Sequence, residues 1–476
     1  MEDILSQVYD PEAFREAGHR LVDVLADHLG NTQNGLTEQA ISWRQPDEAL
    51  ERWQFDPATP DGDAVDLLQE ILTESVQLHH PRYMGHQISP PAPVAALAGF
   101  LGDFLNNGMG VYEMGIPGTA MEVNVVRALA KQMGFGPQAD GFLTSGGTLA
   151  NLTAMLAARS IRAEGNVWKE GNVRPMALMV SEEAHYCVDR TARIMGWGEA
   201  GIIKIPVNTR FQMRTELLEE YYQNATDKGL EVISVVGSAC STSTGSFDDL
   251  EAIATFCEKH NLWFHVDGAH GGASVFSQKY RHLVKGISLA DSVVMDFHKM
   301  LLTPAVTTAL VFKNGAHSHQ TFSQKAQYLF GQATDPEWFN LARRTFECTK
   351  VMMSAKVYVL WRTYGTALFD AFVTRMYDLG AAFARLIQNR SDFELAVEPE
   401  CNIVCFRYLG PGDAEANNRL NARIRKAIVE DGHFYIVQTQ LRGLTWLRVT
   451  LVNPRTDEGV LKGLLDKVIQ LSNKLH

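Results

Sequence analysis

The sequence is poor in three things: cysteine, long apolar runs and net positive charge. Six cysteines among 476 residues, at 187, 240, 257, 348, 401 and 405, lack the density and spacing of a disulfide scaffold, so reduced thiols and a cytoplasmic location are expected. Cys401 and Cys405 (CNIVC) have no matching Cys/His pair, so this stretch reads as a Val/Ile-rich strand and no metal is expected. The longest apolar run, 92–102 (APVAALAGFLG), stops at Asp103 and is too short to span a bilayer. The N-terminal MEDILSQVYD lacks the charged and apolar regions of a signal peptide, so export is not expected. A formal net charge of −12 presents no basic stripe to nucleic acid and is repelled by anionic lipid. What remains is a globular chain, long enough for two or three lobes, acting on small molecules.

Residues 11–30 place Phe14, Leu21, Val24, Leu25 and Leu29 on one helical face, with Gly30 as a stop. That stripe must find another surface to cover it. A second helix is predicted at about 63–78. From Gly141 onward short β-rich runs alternate with helical stretches, which predicts an α/β fold: a mostly parallel central sheet with helices on both faces. Ligands on such sheets bind at the carboxyl ends of the strands. Residues 315–342 read as irregular, about 345–389 as a long helical region, and the rest, with NIVCFRYL and TWLRVTLV, as strand-helix-strand material. The expected division is an N-terminal helical segment 1–78, a large α/β domain 79–344 and a small α+β domain 345–476.

Three motifs fall at strand ends of the one predicted sheet. In TSGGTLAN (144–151) a strand passes through Gly146 and Gly147 into a helix. The glycines allow close approach of an anion, Ser145 and Thr148 offer hydroxyls, and the helix start offers free N–H groups. By itself this motif is more often just a tight turn with a threonine cap. Asp267 ends the apolar strand of WFHVDGAH (263–270), where a buried carboxylate needs a partner; capping the next turn is the plainer role. Lys299, after His298, is predicted to close the strand in DSVVMDFHKM (291–300), where an unpartnered ammonium is costly. A phosphate cradle, a strand-end acid and a strand-end lysine together match the needs of pyridoxal phosphate: a phosphate site, a carboxylate on the ring nitrogen and a lysine for the Schiff base. His185, in SEEAH, adds a flat imidazole for stacking, or a simple helix cap.

From about His80 to Asn453 the chain resembles the fold-type I pyridoxal-phosphate enzymes, and among them the group II amino-acid decarboxylases: glutamate, aromatic-amino-acid and diaminobutyrate decarboxylases. The resemblance is carried by HPRYMGH (80–86), TSGGTLAN (144–151), SEEAH (181–185), GSFDDL (245–250), HVDGAHGG (265–272) and DFHKML (296–301). It implies that Lys299 carries the cofactor pyridoxal 5′-phosphate, that Asp267 partners its ring nitrogen and that His185 stacks on the ring. It also implies that Ser145, Gly146, Gly147 and Thr148, helped by His298, hold the phosphate. Arg448, in WLRVT, would meet the substrate carboxylate, and residues 85–89 would form the pocket wall. The implied reaction is α-decarboxylation of an L-amino acid to the amine and CO2, in a homodimer whose N-terminal helices clasp the partner.

Aromatic-specific relatives are apolar where this chain has His86, Gln87 and Ser89, so a polar substrate of the aspartate, glutamate or 2,4-diaminobutyrate class is expected, unless these side chains point away. An aromatic L-amino acid is then the alternative. Family members also carry a tyrosine that assists the last protonation across the dimer, whereas 330–339 here reads FGQATDPEWF and Tyr328 resembles a different family tyrosine. The proton donor is therefore open, and an aldehyde synthase is the second expected activity.

Overall fold

The computed structural model describes residues 3–60, 62–322 and 337–475. It divides into two compact units, one of Met1–His86, Arg385–Ala396 and Cys405–His476, the other of Gln87–Ala384 and Val397–Val404.

The larger unit is built on strands β1 (Asp140–Thr144), β2 (Met176–Ser181), β3 (Ile202–Ile205), β4 (Glu231–Ser238), β5 (Trp263–Asp267), β6 (Ser292–Asp296) and β7 (Thr308–Phe312). They form a seven-stranded sheet in the order β1-β7-β6-β5-β4-β2-β3. The pairs β2–β3, β2–β4, β4–β5 and β5–β6 are parallel, while β7 runs antiparallel to both β1 and β6. The sheet is thus mostly parallel, as the strand-helix alternation predicts. Every residue of β2, β5, β6 and β7 is buried, the signature of strands covered on both faces. The helix Gly147–Arg162 lies on this sheet through a row of small side chains: Ala150, Ala154, Ala157 and Ala158 are fully buried in the same core as Phe142, Leu178, Val236 and Trp263. Alanines let the helix axis come close, and its N-terminus is thereby held beside the carboxyl end of β1.

The smaller unit holds strands β8 (Phe393–Leu395), most of β9 (Ile403–Tyr408), β10 (Val437–Leu441) and β11 (Leu444–Thr450), in the sheet order β10-β11-β9-β8. Residues 78–84 are stitched to the chain's C-terminal region. Met84 N–H donates to the Tyr435 carbonyl at 3.0 Å, Thr450 N–H to the Met84 carbonyl at 2.9 Å, and Asn453 Nδ2 to the Leu78 and His80 carbonyls at 2.9 and 3.0 Å. These bonds join the two ends of the sequence in one unit.

Several local expectations need correction. The first long helix runs Pro11–Gln33, through Gly30 rather than stopping there; a glycine inside a helix costs only about 1 kcal/mol relative to alanine. A short helix, Ala316–Thr321, forms where irregular chain is predicted. The later helical region begins at Met353 and is broken by Gly365 at φ +68°. Lys299 is not on a strand: β6 ends at Asp296, and Phe297–Met300 forms one helical turn. Cys405 does lie on β9, while Cys401 precedes it with its Sγ 3.9 Å from that of Cys240. No helix among the described residues is long and apolar enough to cross a membrane.

Candidate active site

The carboxyl ends of β1, β4, β5 and β6, with the start of the helix after β2, line a cleft of about 530 Å³ that is open to solvent. At its anion end Gly146 caps the helix Gly147–Arg162 with φ +116° and ψ 156°, a conformation that L side chains rarely adopt. The first intrahelical bond is Ala150 N–H to the Gly146 carbonyl, so the amides of Gly147, Thr148 and Leu149 precede the ladder. A Cβ added to Gly147 would sit 3.3 Å from the Asp296 carboxylate. Gly147 and Thr148 line the cleft. The Ser145 hydroxyl instead donates to Glu347 Oε1 at 2.9 Å.

At the lysine end, the helical turn after β6 brings Lys299 Nζ back to 3.1 Å from Asp296 Oδ2. Asp296 is 3 % exposed; its Oδ1 accepts from the Thr308 hydroxyl at 2.5 Å. Burial alone would lower the Lys299 pKa, but the Asp296 and Asp267 carboxylates outweigh it and the net shift is upward. Nζ is therefore an ammonium at neutral pH. His298, next to it, is held between two groups: its Nδ1 lies 3.1 Å from both the N–H and the carbonyl of Thr307, and its Nε2 is 3.7 Å from the same Asp296 Oδ2. The Ser89 hydroxyl donates to the His298 carbonyl at 3.3 Å.

Asp267 ends β5 with both carboxylate oxygens engaged. Oδ1 accepts from Ala269 N–H at 3.2 Å and Oδ2 from Asn151 Nδ2 at 3.3 Å. The carboxylate thus caps the next turn, as the plainer reading has it, and also faces the cleft. His185 likewise does two things: Nδ1 accepts from Cys187 N–H at 3.3 Å, capping the helix Tyr186–Ile194, while the residue lines the cleft. Burial, partly offset by Asp267, lowers its pKa and leaves a neutral ring at pH 7.

This donor set fits pyridoxal phosphate. It holds a lysine able to condense with an aldehyde, a carboxylate for a cationic ring nitrogen, a neutral imidazole, and a helix start where a Cβ on Gly147 would press on the Asp296 carboxylate. Asp296 and Asn151 escape the sequence reading. Both had a signal: Asp296 stands three residues before Lys299 and Asn151 four after Gly147, spacings that become neighbours only in helices. Among the described residues no cluster of three or more His, Cys, Asp or Glu side chains could hold a metal.

The expected substrate residues divide between the two units. Gln87 and Ser89 are buried in the larger one. His86 belongs to the smaller one, edge-on to Tyr435 with ring centroids 5.9 Å apart. Arg448 is buried on β11 of that same unit, and ring burial together with the Arg448 and Arg425 charges lowers the His86 pKa. Tyr328 and residues 330–336 lie outside the described residues.

Comparison with known proteins gives a consistent picture. The profile of the pyridoxal-dependent decarboxylase conserved domain matches residues 57–409. The L-aspartate decarboxylase of Metarhizium robertsii is 31 % identical over 449 residues, 92 % of this chain and 89 % of that protein. The L-2,4-diaminobutyrate decarboxylase of Acinetobacter baumannii is 28 % identical over 427 residues, 86 % of this chain and 83 % of that one. The crystal structure of mouse CSAD superposes with a TM-score of 0.89 at 25 % identity, covering 97 % of this chain and 99 % of that one.

Proposed function

The chain belongs to the pyridoxal-dependent decarboxylase family, and from that premise we propose that it removes the α-carboxylate of a polar L-amino acid as CO2, leaving the amine, with pyridoxal 5′-phosphate carried on Lys299. One observation carries the assignment of residues: the Lys299 ammonium, 3.1 Å from Asp296, shares a single cleft with the Asp267 carboxylate and the neutral His185 ring.

When bound, pyridoxal phosphate supplies the electron sink that accepts the pair left on Cα as CO2 departs. The chain's part is to hold and orient. Gly146, Gly147 and Thr148 would cradle the phosphate with backbone amides and a hydroxyl; Ser145 joins them only by leaving Glu347. Asp267, oriented by Ala269 and Asn151, has lone pairs left for a protonated ring nitrogen, and a negative charge in contact favours that protonated form. His185 would lie against the ring face. Lys299 would hold the cofactor aldehyde, and the Asp296 carboxylate 3.1 Å from its Nζ would favour a proton on that nitrogen whenever it is free. His298 would act through the turn it anchors on Thr307. Arg448 would pair with the substrate carboxylate, for which a guanidinium fork suits two-point contact.

A polar substrate is favoured by His86, Gln87 and Ser89, and by likeness to enzymes named for aspartate and diaminobutyrate. The absence of tyrosine from 330–339 favours a second reading, an aldehyde synthase. A homodimer clasped by residues 1–78 is supported by the outward apolar side chains Phe14, Val22 and Leu25 on one N-terminal helix and Leu67, Leu68 and Ile71 on another. A cytoplasmic location is supported by six free cysteines. We also retain 79–344 and 345–476 as the proposed large and small domains.

The test is an absorbance spectrum and CO2 release from a panel of common and diamino acids, beside Lys299→Ala. A visible cofactor band lost in the variant, with CO2 from a polar amino acid, is the expected result. No band and no CO2 from any member of the panel overturns the reading. Amine as sole product excludes the aldehyde synthase.

A further inference from the structure

Behind Asp267 runs an unbroken line of buried polar groups. Trp263 Nε1 is 2.9 Å from Ser292 Oγ, Ser292 Oγ is 2.8 Å from His265 Nδ1, and His265 Nε2 is 2.8 Å from Asn151 Oδ1. Asn151 Nδ2 then reaches Asp267 Oδ2 at 3.3 Å. Trp263, Ser292 and His265 are 0 % exposed and Asn151 1 %, so water does not complete these bonds.

The order of donors along the line follows from its two ends. Asn151 Nδ2 faces the Gly147 carbonyl at 3.0 Å as well as Asp267, and both are acceptors. The amide cannot be turned over without setting oxygen against oxygen twice, so Oδ1 faces His265 and His265 Nε2 must donate. Burial lowers the His265 pKa to about 4, so the ring carries one proton at pH 7 and Nδ1 is an acceptor. The Ser292 hydroxyl fills that acceptor. Its oxygen in turn receives the indole N–H of Trp263, a group that donates only.

We propose that Trp263, Ser292, His265 and Asn151 form a hydrogen-bond chain of one fixed polarity, which ends in an N–H aimed at Asp267 and makes His265 and Asn151 positioning residues for that carboxylate. The inference rests on the assignment of Asp267 to the cofactor ring nitrogen. An N–H donated to a carboxylate favours its ionised form and fixes its orientation. The four residues come from three segments, β5, β6 and the helix after β1, that meet only in the folded sheet. Each link also removes a buried unsatisfied group, so the line is complete as built.

Two measurements test it. Nitrogen-15 NMR of histidine-labelled apoprotein should find His265 neutral with its proton on Nε2; a proton on Nδ1 overturns the polarity. Next, His265→Gln and His265→Leu are compared with wild type for pyridoxal phosphate affinity, with folding checked by circular dichroism. Glutamine donates to Asn151 and accepts from Ser292, whereas leucine does neither: the Asn151 Oδ1 loses its donor, and the amide is then held only through Nδ2, by Gly147 and by the long contact to Asp267. The dissociation constant should rise about tenfold or more in His265→Leu, the fold-change expected for one hydrogen bond to a charged group, and stay near wild type in His265→Gln. A folded His265→Leu that binds like wild type, or a folded His265→Gln that binds no better than His265→Leu, refutes the proposal. Should the variants misfold, the tautomer in wild type decides alone. Wild-type protein that binds no cofactor at all would sink the reading of the cleft, a distinct outcome from these.

Discussion

Replacing Asp296 by asparagine isolates the charge beside Lys299 with almost no change in shape. Thr308 can still donate to the Oδ1 position, while the Oδ2 position, 3.1 Å from Nζ, becomes an NH2 that repels the ammonium. Two unit charges at that distance attract by about 1 kcal/mol in water and about 5 kcal/mol at an effective dielectric constant of about 20. The Lys299 side chain is 18 % exposed, so the interaction lies between those limits. With Asp296 neutral, burial is opposed chiefly by Asp267, and the lysine pKa must fall. Even about 1 kcal/mol corresponds to roughly a fivefold larger share of neutral, nucleophilic amine near pH 7.5. The same change removes a carboxylate next to Gly147, where a phosphate would sit. Both effects act in one direction. Stopped-flow absorbance of apoprotein mixed with pyridoxal phosphate, from pH 6.5 to 10, should show faster association in Asp296→Asn, with the gain largest at the acidic end. Slower association at every pH, in a variant whose thermal denaturation matches wild type, would refute the account of Asp296 as the lysine's counter-ion.

Gly146→Ala forces a Cβ into φ +116° and should cost about 1 kcal/mol or more of stability while weakening cofactor binding, checked by urea unfolding and by titration. Asp248 accepts N–H bonds from Met213 and Ser238 at 2.7 and 2.8 Å, yet burial raises its pKa from 3.8 to about 6. Between those values the folded chain holds a proton that the unfolded chain has released, so this group's contribution to stability falls as pH rises through that window, by up to about 3 kcal/mol. Unfolding curves at pH 4 and pH 7 should therefore differ less in Asp248→Asn than in wild type; an equal difference would contradict this. Arg448→Lys keeps the charge and loses the fork, so KM for the amino acid should rise about tenfold while cofactor affinity stays unchanged. A fall in cofactor affinity alone would argue for a structural role.

The sequence by itself determined the sheet, because alternating apolar runs and amphipathic helices are local patterns whose burial needs little beyond their own period. It also carried Lys299, Asp267, His185 and the glycine pair, since strand ends in such sheets deliver side chains to one edge and each motif is contiguous. Only the tertiary structure decided what those groups touch. The turn after β6 folds Lys299 back on Asp296, and a strand-end lysine would have pointed away from it. His298, adjacent to the lysine, is drawn to Thr307, while His185, more than a hundred residues earlier, enters the cleft. Asn151 reaches His265 across 114 positions of sequence. Residues 78–84 join the C-terminal region through main-chain bonds at Arg82 and Met84 and through the Asn453 side chain, none of which any periodicity announces. The physical reason is common to all four: a period records which face a residue presents, whereas a contact depends on how distant segments close on one another, and charges and hydrogen bonds act only once that closure has brought them within about 3 Å.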